Sequence, residues 1–204
     1  MTFYRAPSES TYRGWVAATD PGFSFVLKAP RLVSHVKRLA ECRQELERFW
    51  SGAQMLGQKL RAVLLQTPPS LPFDAALLDG FLTSLPAGFP PVAWEVRHAS
   101  FLADEALTWF ARSRQSLVVA DSGGRYPTIR AFTAPPAYLR FHGPAGLYSS
   151  PYTEAQLADY AAWVGTNVPE DATVYAFFNN DVGGHAITNA RQLRALVEAR
   201  PTPA

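Results

Sequence analysis

The hydrophobic pattern of the chain switches between two periods, and this switching predicts strands that alternate with helices. FSFVLK at residues 23–28 and SLVVAD at 116–121 are short, mostly apolar runs that precede turn residues, as is typical of strands. Other segments carry apolar residues at helical spacing, and Thr153 with Gln156 forms a capping box that marks a helix start. The predicted strands cover residues 1–5, 23–28, 62–67, 92–101, 116–121, 137–143 and 174–179. The predicted helices cover residues 9–18, 39–56, 73–85, 104–113, 153–164 and 186–199.

Strands that alternate with helices predict an α/β fold with a parallel sheet, either an open doubly wound sheet or a closed barrel. The strands end in polar side chains, which favours the barrel, because the carboxyl ends of barrel strands meet at a common mouth where enzymes place their sites. We therefore expect one TIM (β/α)₈-type barrel domain over residues 1–204. The residues expected to converge at its mouth are Lys28, Gln66, Glu95, Arg97, Asp121, Arg140, His142 and Asn179.

Composition narrows the class of protein. The chain has 204 residues, of which 48% are hydrophobic and 18% are charged, and this excludes a disordered chain. Its formal charge of +2 does not by itself predict a nucleic-acid partner. Cys42 is the only cysteine, so the sequence excludes an intramolecular disulfide and a cysteine-based zinc cluster. No signal peptide or membrane span is apparent, and we expect a cytoplasmic protein without a membrane partner.

The segment at residues 92–101, VAWEVRHASF, carries the strongest chemical signal. On a strand, Glu95 and Arg97 share one face, whereas Val92, Trp94 and Val96 share the other. A carboxylate beside a guanidinium on a buried strand must be paired or used in chemistry. The pair is therefore either an ion pair at a strand end or an active-site acid or base with its partner.

Six motifs in this chain resemble the YecE-like family, the domain of unknown function 72. They are TFYR at 2–5, FVLKAPRLVSHVKRL at 25–39, LLQTPPS at 64–70, WEVRHASF at 94–101, YLRFHG at 138–143 and FFNNDVGGHAITNA at 177–190. The resemblance implies a TIM barrel with these polar residues at its mouth, and it implies no established reaction. Members of this family begin with one strand and one helix that precede the TFYR strand. The resemblance therefore implies that this first strand–helix unit is missing here and that seven units remain. The expected cause is a mis-assigned start codon or a truncated chain, with a swapped or gap-filled dimer as the alternative.

The first functional hypothesis is an enzyme, of the hydrolase, isomerase or lyase class, that acts on an anionic small molecule such as a phosphorylated or sugar-like compound. Its catalytic residues would be Glu95 as general acid or base, His142 as second proton carrier and Lys28 as a stabiliser of negative charge. Its substrate would contact Gln66, Arg97, Asp121, Arg140, Asn179, Asn180, Asp181, Gly183 and Gly184. Glycine residues before a helix N-terminus let backbone N–H groups approach a phosphate. No nucleotide-binding fingerprint appears, so no cofactor is predicted.

Two alternatives remain open. A metal-dependent hydrolase or nuclease would use Glu95, Asp121, His142 and Asp181 as ligands, although the interspersed cations favour a site without a metal. A non-catalytic nucleic-acid-binding barrel would contact phosphates through the basic loop at residues 31–38. His35 in that loop is expected to have no role in the site. The sequence does not indicate the oligomeric state.

Overall fold

The computed structural model describes residues 2–4 and 6–199, and it divides into two compact units, Met1–Gln115 and Ser116–Ala204. The α-helices are α1 (Glu9–Ala17), α2 (Arg43–Ala53), α3 (Ala75–Thr83), α4 (Asp104–Arg112), α5 (Glu154–Asn167) and α6 (His185–Glu198). The strands are β1 (Phe25–Lys28), β2 (Leu60–Gln66), β3 (Val92–Glu95), β4 (Ser116–Asp121), β5 (Ala137–Phe141) and β6 (Val174–Phe178). Leu32–Val36 forms a π-helical turn, and Gln54–Lys59 and Ala99–Leu102 form 3₁₀ segments.

In the first unit, β2 pairs in parallel with both β1 and β3. Trp94 on β3 is fully buried, and its ring packs edge-on against Phe81 of α3 and against Trp109 and Phe110 of α4. Because side chains alternate along a strand, the next residue, Glu95, is directed to the opposite face. The predicted division into an apolar face and a polar face is therefore confirmed for Val92–Glu95, whereas Val96 and Arg97 lie beyond the strand.

In the second unit, β5 pairs in parallel with β4 and with β6. Helices α5 and α6 cover one face of these strands, where Leu139 and Phe141 pack with Leu157 of α5 and Leu193 of α6. The capping box at the start of α5 is present: the Gln156 N–H donates to the Thr153 hydroxyl, and the Thr153 N–H donates to the Gln156 side chain. The prediction of an α/β fold with parallel strands is confirmed.

The helix predicted over residues 39–56 is shorter and is found as Arg43–Ala53. Three further predicted assignments are wrong. Thr2–Tyr4 form a turn rather than a strand end, because the Thr2 hydroxyl donates to the Lys28 carbonyl and the Arg31 N–H donates to the Phe3 carbonyl. Met1 and Arg5 lie outside the described residues, which therefore contain six strands rather than the predicted seven.

The second boundary is the end of β3, which lies at Glu95 and not at residue 101. His98 Nδ1 accepts the Ser100 N–H at 3.1 Å and so caps the 3₁₀ turn Ala99–Leu102. A side chain that bonds to nearby backbone in this way competes with continuation of the strand. The third boundary is the basic segment at residues 31–38, predicted as a loop, which contains the π-helical turn Leu32–Val36.

In the part of the chain that the structure describes, no helix is long and apolar enough to span a membrane. The last helix, predicted over residues 186–199, is found as His185–Glu198.

Candidate functional site

The carboxyl ends of β1, β2 and β3 place three predicted site residues on one face of the first unit's sheet. Gln66 lies opposite Glu95 in the β2–β3 register, and Lys28 lies opposite Leu64, which shares the Gln66 face. Lys28 Nζ donates to Gln66 Oε1 at 2.8 Å, and Gln66 Nε2 donates to Glu95 Oε1 at 2.6 Å. The Gln66 side-chain amide therefore links a cation to a carboxylate, because its oxygen accepts from Lys28 and its nitrogen donates to Glu95.

Arg97 lies two residues beyond Glu95 and completes this polar cluster. Its Nη2 and Nε donate to Glu95 Oε1 at 3.1 and 3.4 Å. The Glu95 side chain is only 2% exposed and the Arg97 side chain 15%. A carboxylate this deeply buried is tolerated because donors surround it. We call Lys28, Gln66, Glu95 and Arg97 the β1–β3 cluster.

The π-helical turn after β1 brings His35 close to this cluster, which the sequence analysis did not foresee. The His35 ring packs edge-on against Phe3 at 5.3 Å between centroids, and Lys28 Nζ lies 4.1 Å from the centroid of the same Phe3 ring. Burial lowers the pKa of the His35 imidazole, and the positive charges of Lys28, Arg31 and Arg97 lower it further. Three cations therefore act on the His35 ring at the carboxyl end of this sheet. The sequence signal for His35 was its position in the basic segment that follows β1.

Thr67 directly follows Gln66 and is fully buried. Its N–H donates to the Glu95 carbonyl at 3.0 Å, whereas its hydroxyl has no hydrogen-bond partner among residues 2–4 and 6–199. Its backbone thus extends the β2–β3 pairing past the last strand residue and holds the polar ends of the two strands side by side.

In the second unit the structure brings Arg140 and Asn179 together. Arg140 of β5 donates from Nη2 to Asn179 Oδ1 at 2.8 Å, because the β5–β6 register places the two residues on the same face. His142 follows β5, is buried, and packs edge-on against the Tyr148 ring at 5.7 Å between centroids.

Asp121 does not share the face of Arg140, and the expectation that it would converge with Arg140 is wrong. It lies opposite Phe141 in the β4–β5 register, on the side that α5 covers. Its Oδ2 accepts the Tyr160 hydroxyl at 2.9 Å, and its Oδ1 accepts the Gly123 N–H at 3.0 Å. In the β4–β5 register Arg140 aligns with Ala120, so Asp121 is directed to the opposite face.

The loop before α6 contains the remaining predicted residues. Asn180 is fully buried, and its Nδ2 donates to the Ser150 carbonyl at 3.1 Å and to Asn189 Oδ1 at 3.0 Å. Asn189 of α6, which the sequence analysis missed, also bonds to both the N–H and the carbonyl of Tyr152 at 3.0 Å. Asn180 thus links the loop before α6 to the Ser150 backbone and to Asn189 of α6.

Gly183 and Gly184 have φ values of 85° and 76°, which favour glycine, and the Gly184 N–H donates to the Asp181 carbonyl at 2.9 Å. Gly184 is the N-cap of α6, and no side chain of the described residues caps that helix.

Comparison with known proteins identifies the family. The family model "Protein of unknown function DUF72" matches residues 1–204. The chain belongs to the DUF72 family. The predicted resemblance to the domain of unknown function 72 is therefore confirmed.

Solved structures of DUF72 proteins resemble this one. A DUF72 family protein from Thermotoga maritima MSB8 is 28% identical, with a TM-score of 0.81 over 97% of this chain and 82% of that chain. A DUF72 family protein from Enterococcus faecalis V583 is 23% identical, with a TM-score of 0.85 over 100% of this chain and 86% of that chain. The second likeness concerns the fold alone. Among curated proteins, none matches this chain.

Proposed function

We propose that the β1–β3 cluster is the acid–base site of an enzyme that acts on a small anionic substrate of the phosphorylated or sugar-like class. The observation that carries this proposal is the buried Glu95 carboxylate, which Gln66 links to Lys28 and which Arg97 contacts directly. An ionisable group buried among specific charged partners is a frequent feature of active sites. The reaction would belong to the hydrolase, isomerase or lyase class.

The charge balance of the cluster supports an anionic substrate. The cluster contains two cations, Lys28 and Arg97, and one carboxylate, Glu95, and Arg31 outside the cluster adds a third positive charge that acts on His35. In this proposal Lys28 and Arg97 attract the substrate and stabilise negative charge in the transition state. Glu95 transfers the proton, and Gln66 holds its carboxylate in place.

For the second unit we propose an anion-binding role for Arg140, with Asn179 orienting its guanidinium, and for the backbone N–H of Gly183. Gly184 would shape this turn, since its own N–H donates to the Asp181 carbonyl. Asn180 and Asp181 would shape the loop that presents these glycines, and Asp121 would act through Tyr160 rather than on the substrate. His142 remains our proposed second proton carrier. The TIM-barrel arrangement is likewise a proposal, which the parallel pairing within each unit and the family membership support.

The two alternatives receive less support. No group of three or more His, Cys, Asp or Glu residues in the described ranges could hold a metal ion together, and Glu95 Oε1 already accepts from Gln66 and Arg97. In the basic segment, Lys37 pairs with Glu45 at 2.9 Å, and Arg38 donates to the Ser70 hydroxyl and carbonyl. Both cations therefore bond within the protein, which lowers the support for a nucleic-acid contact through this segment.

Binding of inorganic sulfate, a dianion of constant charge around neutral pH, tests the proposal by calorimetry. Lys28→Met removes a cation from the cluster, and we expect sulfate to bind about tenfold more weakly or worse, since a hydrogen bond to a charged group is worth about 1.5–3 kcal/mol. Lys37→Met is the matched control, because Lys37 pairs with Glu45 instead, and its affinity should stay within about twofold.

Glu95→Gln distinguishes a proton-transferring carboxylate from an anion-binding group. Removing this negative charge should leave sulfate affinity equal or higher, since repulsion is removed while Lys28 and Arg97 remain. Absence of sulfate binding by the unmodified protein, or equal losses in Lys28→Met and Lys37→Met, would overturn the proposal. Binding of an oligonucleotide that only Lys37→Met weakens would favour the nucleic-acid alternative.

A further inference from the structure

The His35 imidazole is held in one orientation by two contacts. Its Nδ1 is 2.8 Å from the hydroxyl of Ser34, which is buried, and its ring packs edge-on against Phe3. The bond to Ser34 uses Nδ1, so Nε2 is the nitrogen through which the ring could contact a ligand. An imidazole that is anchored through one nitrogen and leaves the other available is the usual arrangement of a general acid or base.

The backbone fixes where this ring lies relative to the β1–β3 cluster. The N-terminal turn that carries Phe3 is attached to the end of β1 by the 2.6 Å bond from the Thr2 hydroxyl to the Lys28 carbonyl and the 2.7 Å bond from the Arg31 N–H to the Phe3 carbonyl. Phe3 thereby contacts both the His35 ring and Lys28 Nζ. The π-helical turn Leu32–Val36 presents His35 from the other side, and such turns are frequent at functional sites.

Three cations from the surrounding elements lower the pKa of the ring, and one of them, Arg97, is bonded to the Glu95 carboxylate. They are Lys28 at the end of β1, Arg31 at the start of the π-helical turn and Arg97 beyond β3. Burial and these cations disfavour the protonated imidazole when no anion is bound, so the pKa of His35 is lowered. An anion held by the same cations would reverse this field, because a negative charge beside an imidazole favours its protonated form.

We infer that His35 is a proton carrier of the anion site, which takes up a proton when a small dianion binds to the Lys28, Arg31 and Arg97 cations and donates it to the bound anion. This inference rests on the proposed function. On uptake, solvent supplies the proton, and the imidazolium donates from Nδ1 to the Ser34 hydroxyl and from Nε2 to an anion oxygen. On transfer, the Nε2–H bond breaks as the anion O–H bond forms, and the ring returns to its neutral state.

Two-dimensional NMR of the four histidine rings tests the inference directly. The rings are titrated with pH in the absence and in the presence of saturating inorganic sulfate, and the His35 signal is assigned with His35→Gln. We expect sulfate to raise the His35 midpoint by about one pH unit or more, since opposite charges within a few ångströms shift a pKa by about 1–3 units.

Sulfate affinity provides the second readout, because proton uptake and anion binding are linked. The unmodified protein should bind sulfate about threefold more tightly, or better, near pH 6 than near pH 8, whereas His35→Gln should show almost no change. His98→Gln is the matched control and should retain the full pH dependence. Ser34→Ala, which removes the Nδ1 partner, should reduce this dependence without abolishing binding.

The outcomes separate the inference from the proposed function. If sulfate binds and the His35 midpoint does not move, the inference is wrong while the proposed function stands. If sulfate does not bind at all, the proposed function is wrong and the inference is overturned with it. The titration of the unmodified protein decides between these outcomes even if a variant fails to fold.

Discussion

Replacement of Arg97 by Met should destabilise the protein, because it leaves the Glu95 carboxylate buried without its contacting guanidinium. Glu95 is 2% exposed and Arg97 15%, and two Arg97 nitrogens lie within 3.4 Å of Glu95 Oε1. Breaking a buried ion pair by removing one partner costs about 3–5 kcal/mol. Gln66 still donates to the carboxylate and Arg97 is not fully buried, so we expect a loss of about 2–3 kcal/mol.

Urea unfolding measures this loss, and a double-mutant cycle assigns it to the pair. Glu95→Gln removes the buried charge, so the Arg97→Met change should cost about 1–2 kcal/mol less in that background. Arg13→Met is the control, because the Arg13–Glu9 pair spans 3.8 Å between side chains that are 73% and 77% exposed, and its effect should stay within about 0.5 kcal/mol. An Arg97→Met variant as stable as the control, with an unchanged m-value, would refute the reasoning.

Three further predictions concern residues outside the β1–β3 cluster. Burial raises the pKa of the Cys42 thiol to about 11, so the unfolded chain loses its thiol proton first and stability falls as pH rises above the unfolded value. Between about pH 8 and about pH 10 the free energy of unfolding, measured with urea, should fall by about 1 kcal/mol more in the unmodified protein than in Cys42→Ala. An equal fall in both proteins would contradict this. Thr153→Ala removes the α5 cap and should lower the thermal midpoint, at a cost of about 1 kcal/mol, whereas the exposed Thr166→Ala should have less effect. Asn189→Ala breaks the bonds to the Tyr152 backbone and should cost about 2–3 kcal/mol in unfolding experiments; a loss below about 0.5 kcal/mol would show that solvent replaces those bonds.

The elements of this fold follow closely from local pattern. The SLVVAD segment forms β4 over the predicted residues, and the capping box starts α5 where Thr153 and Gln156 indicate. The alternation at Trp94 and Glu95 separated an aromatic core face from a polar face. These predictions succeed because side-chain direction and helix capping depend on residues a few positions apart.

Placement of the site residues depended on register and on contacts between distant segments. Lys28, Gln66 and Glu95 form one cluster because parallel pairing aligns the ends of three strands, whereas Asp121, also at a strand end, faces α5 and bonds to Tyr160. A shift of one residue along a strand reverses the face of a side chain, so a polar residue near a strand end is not enough to locate it.

His35 shows most clearly what the amino-acid order leaves open. Its residue type and its position after β1 are evident in the sequence, but its role depends on Phe3, Ser34 and the cations around it. Those groups come from separate segments, and only the folded chain brings them to one ring. Local periodicity therefore determines which face a residue occupies, and tertiary packing determines its neighbours and hence its charge state, because electrostatic effects depend on distance in space and not on distance along the chain.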